Sequence, residues 1–134
     1  MTHLSTNRRH NILKHLKPHS IETIRALAER LRAKYPREDG KLCFLSDLTK
    51  NRVRVEDDIT HYALVQLLSA LNVRARAELK ALMWLGRGSD FDFPSAVKHA
   101  RKTSAPGDIP YILDKVFELP RWLTDGEAMI AQDK

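Results

Sequence analysis

The sequence contains one glycine-rich turn of a kind that binds phosphate in other proteins, Gly86-Arg87-Gly88. Backbone N–H groups and a guanidinium at such a turn can cradle an anion when a helix follows. The surrounding residues match neither the Walker nor the dinucleotide-binding pattern, and no convincing strand precedes the turn. We therefore predict that glycine ends a helix here, with Gly86 in the left-handed conformation.

Two groups of residues resemble the beginnings of metal sites. Asp90 and Asp92 have the spacing that opens a calcium loop, but this register places Ser95 at the glycine position and Arg101 at the glutamate position. Four histidines lie near the N-terminus: His3, His10, His15 and His19. Their spacings of seven, five and four residues match no zinc-binding signature. We predict no metal ion and no cofactor.

Nucleophilic catalysis also lacks a local motif. Cys43 would need a basic partner such as His61 or His99, yet it stands between Leu42 and Phe44, a setting typical of a buried thiol. The chain contains neither a Gly-x-Ser-x-Gly elbow nor a His-Glu-x-x-His sequence. We therefore predict no catalytic residues, and a small enzyme is the weakest of the functional alternatives.

Positive charge is concentrated at the start of the chain, whose 134 residues carry a formal net charge of +6. Nine of the 23 Lys and Arg residues lie in residues 1–37, where only Glu22 and Glu29 oppose them, whereas residues 38–134 are close to neutral. Such a surplus favours contact with nucleic acid, an acidic protein or an anionic membrane surface. If nucleic acid is the partner, the cations predicted to contact it are Arg8, Arg9, Lys14, Lys17, Arg25 and Arg32.

The composition is typical of a single globular domain in the cytoplasm. Apolar residues make up 43% of the chain, too many for a wholly disordered tail. The single cysteine excludes an internal disulfide. No stretch approaches 18 consecutive apolar residues, and the polar, basic N-terminus lacks the apolar centre of a signal peptide. We therefore expect a cytoplasmic protein without a membrane partner.

Apolar residues recur at intervals of three and four along most of the chain, the spacing of amphipathic helices. This pattern predicts helices over residues 21–35, 58–71, 74–85, 94–102 and 108–119, and a short final segment from Trp122 to Ile130. Ser20 is the expected N-cap of the first helix, Asp57 and Asp58 supply a cap to the second, and Pro120 is expected to stop the fifth. The broad apolar stripe of the second helix predicts that it is the most buried.

These elements predict an all-α fold, a compact bundle of about five to six short helices. Residues 37–56 are interpreted as an irregular connection that is long enough to contain a short strand. Residues 1–19 are interpreted as a basic, flexible leader. Residues 20–130 form a single helical domain, and residues 131–134 are a polar tail.

One stretch of the chain resembles a known family. Residues 71–72, Leu-Asn, followed by residues 77–88, AELKALMWLGRG, are similar to the signature of a family of small bacterial proteins classed as a domain of unknown function. The resemblance extends over about residues 21–126, including the closing segment LPRWLTDG at 119–126. The chain departs from the pattern at residues 73–76, VRAR, where acidic residues are expected. The resemblance implies a fold and no mechanism.

Two functional hypotheses from different classes follow. The first is a non-catalytic module that binds another protein through an apolar and arginine-rich surface composed of Arg74, Arg76, Trp84 and Arg87. The second is a nucleic-acid binder that uses the basic leader and the polar face of the first helix. Affinity for nucleic acid should fall steeply with salt because phosphate contacts release counter-ions, whereas an apolar protein interface should change little.

Overall fold

The structure, a computed structural model, describes residues 12–35, 43–48, 52–103 and 107–132. These residues form seven α-helices and one 3₁₀ turn, Leu45–Asp47, and contain no strand. The helices are α1 (Pro18–Lys34), α2 (Arg52–Glu56), α3 (Ile59–Ala70), α4 (Val73–Arg87), α5 (Phe93–Lys102), α6 (Asp108–Asp114) and α7 (Leu119–Gln132). The predicted all-α architecture is confirmed, with slightly more helices than expected.

Helix α4 is the centre of the bundle. It packs against α5 and α7, while α1 packs against α3 and α7. Nearly every residue in the middle of α4 is buried: Ala75, Ala77, Glu78, Leu79, Lys80, Ala81, Leu82, Met83 and Leu85. The prediction that residues 58–71 are the most buried helix is wrong, because α3 leaves Ile59 81% exposed and Tyr62 62% exposed. Apolar content alone does not place a helix at the centre.

Three successive helices, α3, α4 and α5, begin with a side-chain cap. The side chain of Asp58 accepts a hydrogen bond from the backbone N–H of Thr60 at the start of α3 (2.8 Å), as predicted. Asn72 does the same for Ala75 at the start of α4 (2.8 Å). Helix α1 differs, because it starts at Pro18 after Lys17, which makes no side-chain cap, and Ser20 already lies inside the helix. Proline suits the first helical turn because its missing N–H would have no partner there.

Glycines set how closely α4 and α7 approach. A Cβ at Gly86 would collide with the carbonyl oxygen of Trp122, and one at Gly126 would collide with that of Leu82. Helix α4 continues to Arg87, so Gly86 lies inside it and does not end it, contrary to the prediction. The helix ends at Gly88, whose φ of 104° is the left-handed conformation that glycine adopts most easily.

Pro120 starts a helix where the sequence pattern predicted that it would stop one. Helix α6 ends earlier, at Asp114, a turn over residues 115–118 follows, and Pro120 occupies the first turn of α7. The predicted short final segment is thus a helix of 14 residues. It buries Trp122, Leu123 and Ile130 in the core.

The predicted irregular connection over residues 37–56 is only partly described. Its described part holds the 3₁₀ turn and α2, and no strand. Leu45 is buried, and the backbone N–H of Ser46 donates to Oδ1 of Asp114 (2.8 Å). The connection therefore contributes to the core of the domain.

A carboxylate joins the end of α1 to the start of α3. Oδ2 of Asp58 accepts a hydrogen bond from the hydroxyl of Tyr35 (2.8 Å) and pairs with Nζ of Lys34 (2.7 Å). Together with the N–H of Thr60, and with Lys34 contributing most, these donors hold the pKa of Asp58 well below its usual range. The carboxylate therefore stays ionised in the folded protein.

The segment before α1 contributes to the core. Leu13 is 5% exposed and Leu16 is 1% exposed. The structure describes residues 12–19 of the predicted leader. Residues 12–17 pack on the domain through these two side chains, and Pro18 and His19 belong to α1. Residues 1–11 and 133–134 lie outside the described residues.

Candidate functional site

The first candidate site is a depression of about 350 Å³ that we call the α5 groove. It lies between the segment before α1, the first turns of α4, and α5. Its lining consists of Ile12, Lys14, His15, Arg74, Glu78, Phe93, Pro94, Val97 and Arg101. It combines an apolar floor with a basic rim.

The first turn of α5 positions the apolar floor. Oδ1 of Asp92 caps this helix by accepting a hydrogen bond from the N–H of Ser95 (2.8 Å), and the bonds to Ser95 lower the pKa of Asp92. Phe93 follows; it lines the groove although only 4% of its surface is exposed. Val97, one turn later, is half-buried. Both side chains project from the same capped helix, which places them beside each other on the floor of the groove.

The one acidic residue that lines the groove, Glu78, already accepts hydrogen bonds from within the protein. Oε2 of Glu78 accepts a hydrogen bond from the backbone N–H of Lys14 (2.9 Å), and Oε1 accepts from those of His15 (2.9 Å) and Leu16 (2.7 Å). Three short hydrogen bonds to a buried carboxylate fix the segment against α4.

The rim of the α5 groove is positive. The side chains of Lys14, Arg74 and Arg101 are exposed around it. A second depression, of about 420 Å³, shares Arg101 and adds Lys98 and Lys102. Because the charge of Glu78 is engaged by backbone donors, the cations dominate the field that an approaching ligand meets.

A third depression, which we call the aromatic pocket, has a volume of about 270 Å³. It is lined by Lys80, Trp84, His99, Thr103, Gly107, Asp108 and Tyr111. These residues come from α4, the end of α5 and the start of α6. At 3.6 residues per turn, His99 and Thr103 face away from Val97 and Arg101, so α5 separates the pocket from the groove.

A buried ion pair closes the base of the aromatic pocket. Nζ of Lys80 lies 2.7 Å from Oδ1 of Asp108, and both residues are almost fully buried. The same Nζ makes longer contacts with Oγ1 of Thr103 (3.3 Å) and the carbonyl oxygen of Ala100 (3.4 Å). Nε of Arg76 lies 3.6 Å from Oδ2 of Asp108.

Aromatic side chains form the walls. Nε1 of Trp84 donates a hydrogen bond to the hydroxyl of Tyr111 (2.8 Å). The ring of His99 lies 5.4 Å from those of Trp84 and Phe91, measured between centroids. Trp84 and Tyr111 are half-buried, so their rings keep accessible surface.

The predicted protein-binding residues do not form one surface. Arg74 lines the α5 groove and Trp84 lines the aromatic pocket. Arg76 donates from Nη1 to the carbonyl oxygen of Leu71 (2.6 Å) at the end of α3, so it stabilises the fold. Arg87 is exposed and places its guanidinium 5.6 Å from the centroid of the Trp122 ring.

The cations predicted to contact nucleic acid are also dispersed. Lys14 lies in the α5 groove, whereas Nη1 of Arg25 pairs with Oε1 of Glu127 on α7 (2.6 Å). Lys17 is exposed and Arg32 is half-buried, and neither lines a described depression. Arg8 and Arg9 lie outside the described residues. The predictions for both sets of residues stay predictions.

Sequence reasoning missed residues of both sites. Arg101 was considered only as a failed calcium ligand, and Lys80, Asp108 and Tyr111 were not considered as site residues. One signal was available: Glu78 and Lys80 interrupt the apolar run of α4, and a buried charge requires a partner. Neither partner is adjacent in sequence.

Neither a metal-binding cluster nor a membrane-spanning helix is found among the described residues. No cluster of three or more His, Cys, Asp or Glu side chains in them has an arrangement that could hold a metal ion. Among their helices, none combines the length and the apolar character needed to cross a membrane.

Comparison with known proteins identifies a family but no activity. No curated protein and no solved structure matches the chain. A family model described as "Protein of unknown function (DUF3775)" matches residues 62–130, a little more than half of the chain. The matched region contains every residue of the aromatic pocket and the part of the α5 groove that α4 and α5 contribute. The chain therefore belongs to the DUF3775 family of proteins of unknown function.

Proposed function

We propose that this protein is a non-catalytic module that binds an acidic, amphipathic segment of a partner protein in the α5 groove. The observation that carries the proposal is the combination of an apolar floor with a basic rim whose only acid, Glu78, is engaged by three backbone N–H groups. The single cysteine suits a reducing compartment, so the proposal places the binding in the cytoplasm.

Two features of the groove support a protein segment as the occupant. Phe93 and Val97 offer apolar surface in a concave site, where an aliphatic or aromatic side chain of the partner loses water. Lys14, Arg74 and Arg101 stand around that surface and match carboxylates in charge. An amphipathic helix with apolar residues on one face and Asp or Glu beside them would meet both requirements.

A nucleic acid is the second candidate partner. Lys98, Arg101 and Lys102 form a row of cations at the end of α5, which supports contact with successive phosphates. Phosphate contacts do not require the apolar floor. The two candidates therefore differ in whether Val97 contributes to the affinity.

The test measures fluorescence anisotropy with two labelled probes. One is an acidic amphipathic peptide of about 15 residues, long enough for a helix to form on binding. The other is a single-stranded oligonucleotide of similar length. We expect the peptide to bind and the double variant Arg74→Glu/Arg101→Glu to weaken it at least tenfold, about 1.4 kcal/mol. Val97→Ser should also weaken peptide binding.

The matched control is Arg30→Glu/Arg54→Glu, which changes the net charge by the same amount at exposed residues outside the groove. It should leave peptide affinity within about twofold, since neither residue lines the groove and exposed charges are screened at 0.15 M salt. Equal weakening by the control would mean that net charge, and not the groove, determines binding. Tighter binding of the oligonucleotide, with a steep log-log salt dependence and no effect of Val97→Ser, would replace the proposal with the nucleic-acid alternative.

A further inference from the structure

The aromatic pocket has the properties of a small-molecule site that the proposed function does not use. It lies on the opposite side of α5 from the groove, and its volume is about 270 Å³. That is the space of roughly nine water molecules, enough for a compound with one small ring system. Concave sites with aromatic walls and a few convergent polar groups are typical of ligand binding.

Tyr111 offers a hydrogen-bond donor in this pocket. Its hydroxyl oxygen accepts the hydrogen bond from Nε1 of Trp84 at 2.8 Å. Among the described residues no acceptor takes the hydroxyl hydrogen of Tyr111. A hydroxyl that already accepts a hydrogen bond is a better donor, since bonds in a chain polarise one another. The geometry of Trp84 and Tyr111 therefore suits a ligand that presents an acceptor.

Lys80 offers a second donor. One of its three N–H bonds is committed to Asp108 at 2.7 Å, but its contacts with Thr103 and Ala100 are long, at 3.3 and 3.4 Å. A ligand oxygen that displaced one of these long contacts would gain a charge-assisted hydrogen bond.

The charged cluster beside the aromatic pocket has a net positive charge, although the two charges that line the pocket, those of Lys80 and Asp108, cancel. Lys80 and Arg76 share one carboxylate, that of Asp108. Oδ2 of Asp108 faces Arg76, which does not line the pocket, so the negative charge is directed partly into the fold. Lys115 adds a further cation, with Nζ 4.2 Å from the centroid of the Tyr111 ring, and Asp114 pairs with it. One positive charge remains in excess.

We propose that the aromatic pocket binds a small planar carboxylate with a conjugated ring. The ring packs against the exposed surfaces of Trp84 and His99, and the carboxylate accepts hydrogen bonds from the hydroxyl of Tyr111 and from Nζ of Lys80. The requirement for both a ring and an anion follows from the aromatic walls and the excess cation.

The proposal can be tested by NMR, because the chain contains two tryptophans and the signal of one can be compared with that of the other. Trp84 lines the pocket, whereas Trp122 is buried and does not line it. Each gives one indole N–H signal in a ¹⁵N-correlated NMR spectrum, and Trp84→Phe assigns them. The probes are benzoate, benzamide as its uncharged counterpart, and acetate as the anion without a ring.

We expect benzoate to shift the Trp84 signal saturably and to leave that of Trp122 in place. Benzamide and acetate should each bind at least tenfold more weakly. Tyr111→Phe, which keeps the ring and removes the hydroxyl, should weaken benzoate binding at least fivefold. The matched control Tyr62→Phe removes a hydroxyl from an exposed tyrosine outside the pocket and should have no effect.

Three results would overturn the proposal. The first is no saturable shift of the Trp84 signal when benzoate is added to wild-type protein whose spectrum shows that it is folded. The second is equal binding of benzamide or acetate, because then either the charge or the ring is not recognised. The third is unchanged benzoate affinity in Tyr111→Phe.

Discussion

His61 is a buried side chain whose charge state affects the stability of the fold. It lies on α3 and is 8% exposed, and its Nε2 has no hydrogen-bond partner among the described residues. Burial lowers the pKa of His61, while the charges of Glu56 and Asp58 oppose this shift. The neutral imidazole is therefore the form that the folded protein favours.

The pH dependence of unfolding should reveal this histidine. The folded pKa lies below the ordinary 6.5, so the stability from neutral His61 is fully present above about pH 6.5. It declines as the pH falls towards the folded pKa, because the unfolded chain then binds the proton more readily. We expect His61→Leu to abolish this part of the decline, which urea unfolding at several pH values between 8 and 5 would measure.

Each unit by which the pKa is lowered corresponds to about 1.4 kcal/mol of lost stability at acidic pH. The exposed histidines His15, His19 and His99 remain in the variant, so a difference between the two stability curves reports on His61 alone. Parallel stability curves for the two proteins would show that His61 does not contribute.

At the scale of elements, the contact between α4 and α7 depends on glycine. Gly86 and Gly126 bring the two backbones close enough that each glycine faces a carbonyl oxygen of the other helix. Both helices contribute large buried side chains, Met83 and Trp122 among them. Because the two backbones lie so close, helices of 15 and 14 residues bury these large side chains between them.

In Gly126→Ala, two effects of known size oppose each other. Alanine stabilises a helix interior by about 1 kcal/mol relative to glycine. Its Cβ would collide with the carbonyl oxygen of Leu82, and overpacking of this kind costs about 1–3 kcal/mol or more when backbone must move. We expect a net loss of about 1–2 kcal/mol of stability, measured by urea unfolding.

Gly107→Ala is the matched control. Nothing lies within 4 Å of a Cβ at Gly107, and its φ of −82° suits any residue. Its effect should be neutral or slightly stabilising, by up to about 1 kcal/mol. A Gly126→Ala variant more stable than the wild type would disprove the close approach of α4 and α7.

At the scale of the whole molecule, two charged residues of α4 connect distant parts of the chain. Glu78 binds the backbone of residues 14–16, and Lys80 binds Asp108. Because Glu78 and Lys80 are two positions apart, they point to nearly opposite sides of the helix. Helix α4 thus holds the segment before α1 on one side and the start of α6 on the other.

Glu78→Gln should loosen the segment before α1 while leaving the helices in place. The amide has one acceptor oxygen where the carboxylate has two, and it puts an NH₂ group against backbone donors. We expect faster hydrogen exchange at the amides of Lys14, His15 and Leu16 and a stability loss of about 2 kcal/mol. Exchange measured by NMR resolves the three amides individually.

The control is Glu29→Gln, which makes the same chemical change at an exposed position on α1. It should alter neither the stability nor the exchange of the three amides. Unchanged exchange at residues 14–16 would contradict the role of Glu78.

Much of the fold was predictable from local pattern. Spacings of three and four residues identified the helical segments, and the cap at Asp58 and the proline at Pro94 in α5 were recognised at helix starts. These signals act within one or two turns, so a single chain is sufficient to read them. These signals gave wrong predictions at Gly86 and Pro120. Glycine can lie in the last turn of a helix as well as after its end, and proline can lie in the first turn of a helix as well as after the end of the preceding one.

The sites depend on contacts between residues far apart in sequence. Arg74 and Lys14 belonged to different predicted surfaces, and only the packing of residues 12–16 on α4 brings them to one groove. Lys80 was not predicted to belong to a site, because its partner Asp108 lies 28 positions later in the sequence. Helix periodicity shows which residues share a face, but whether that face meets water, a carboxylate or another helix depends on tertiary packing, which acts over separations that no local pattern spans.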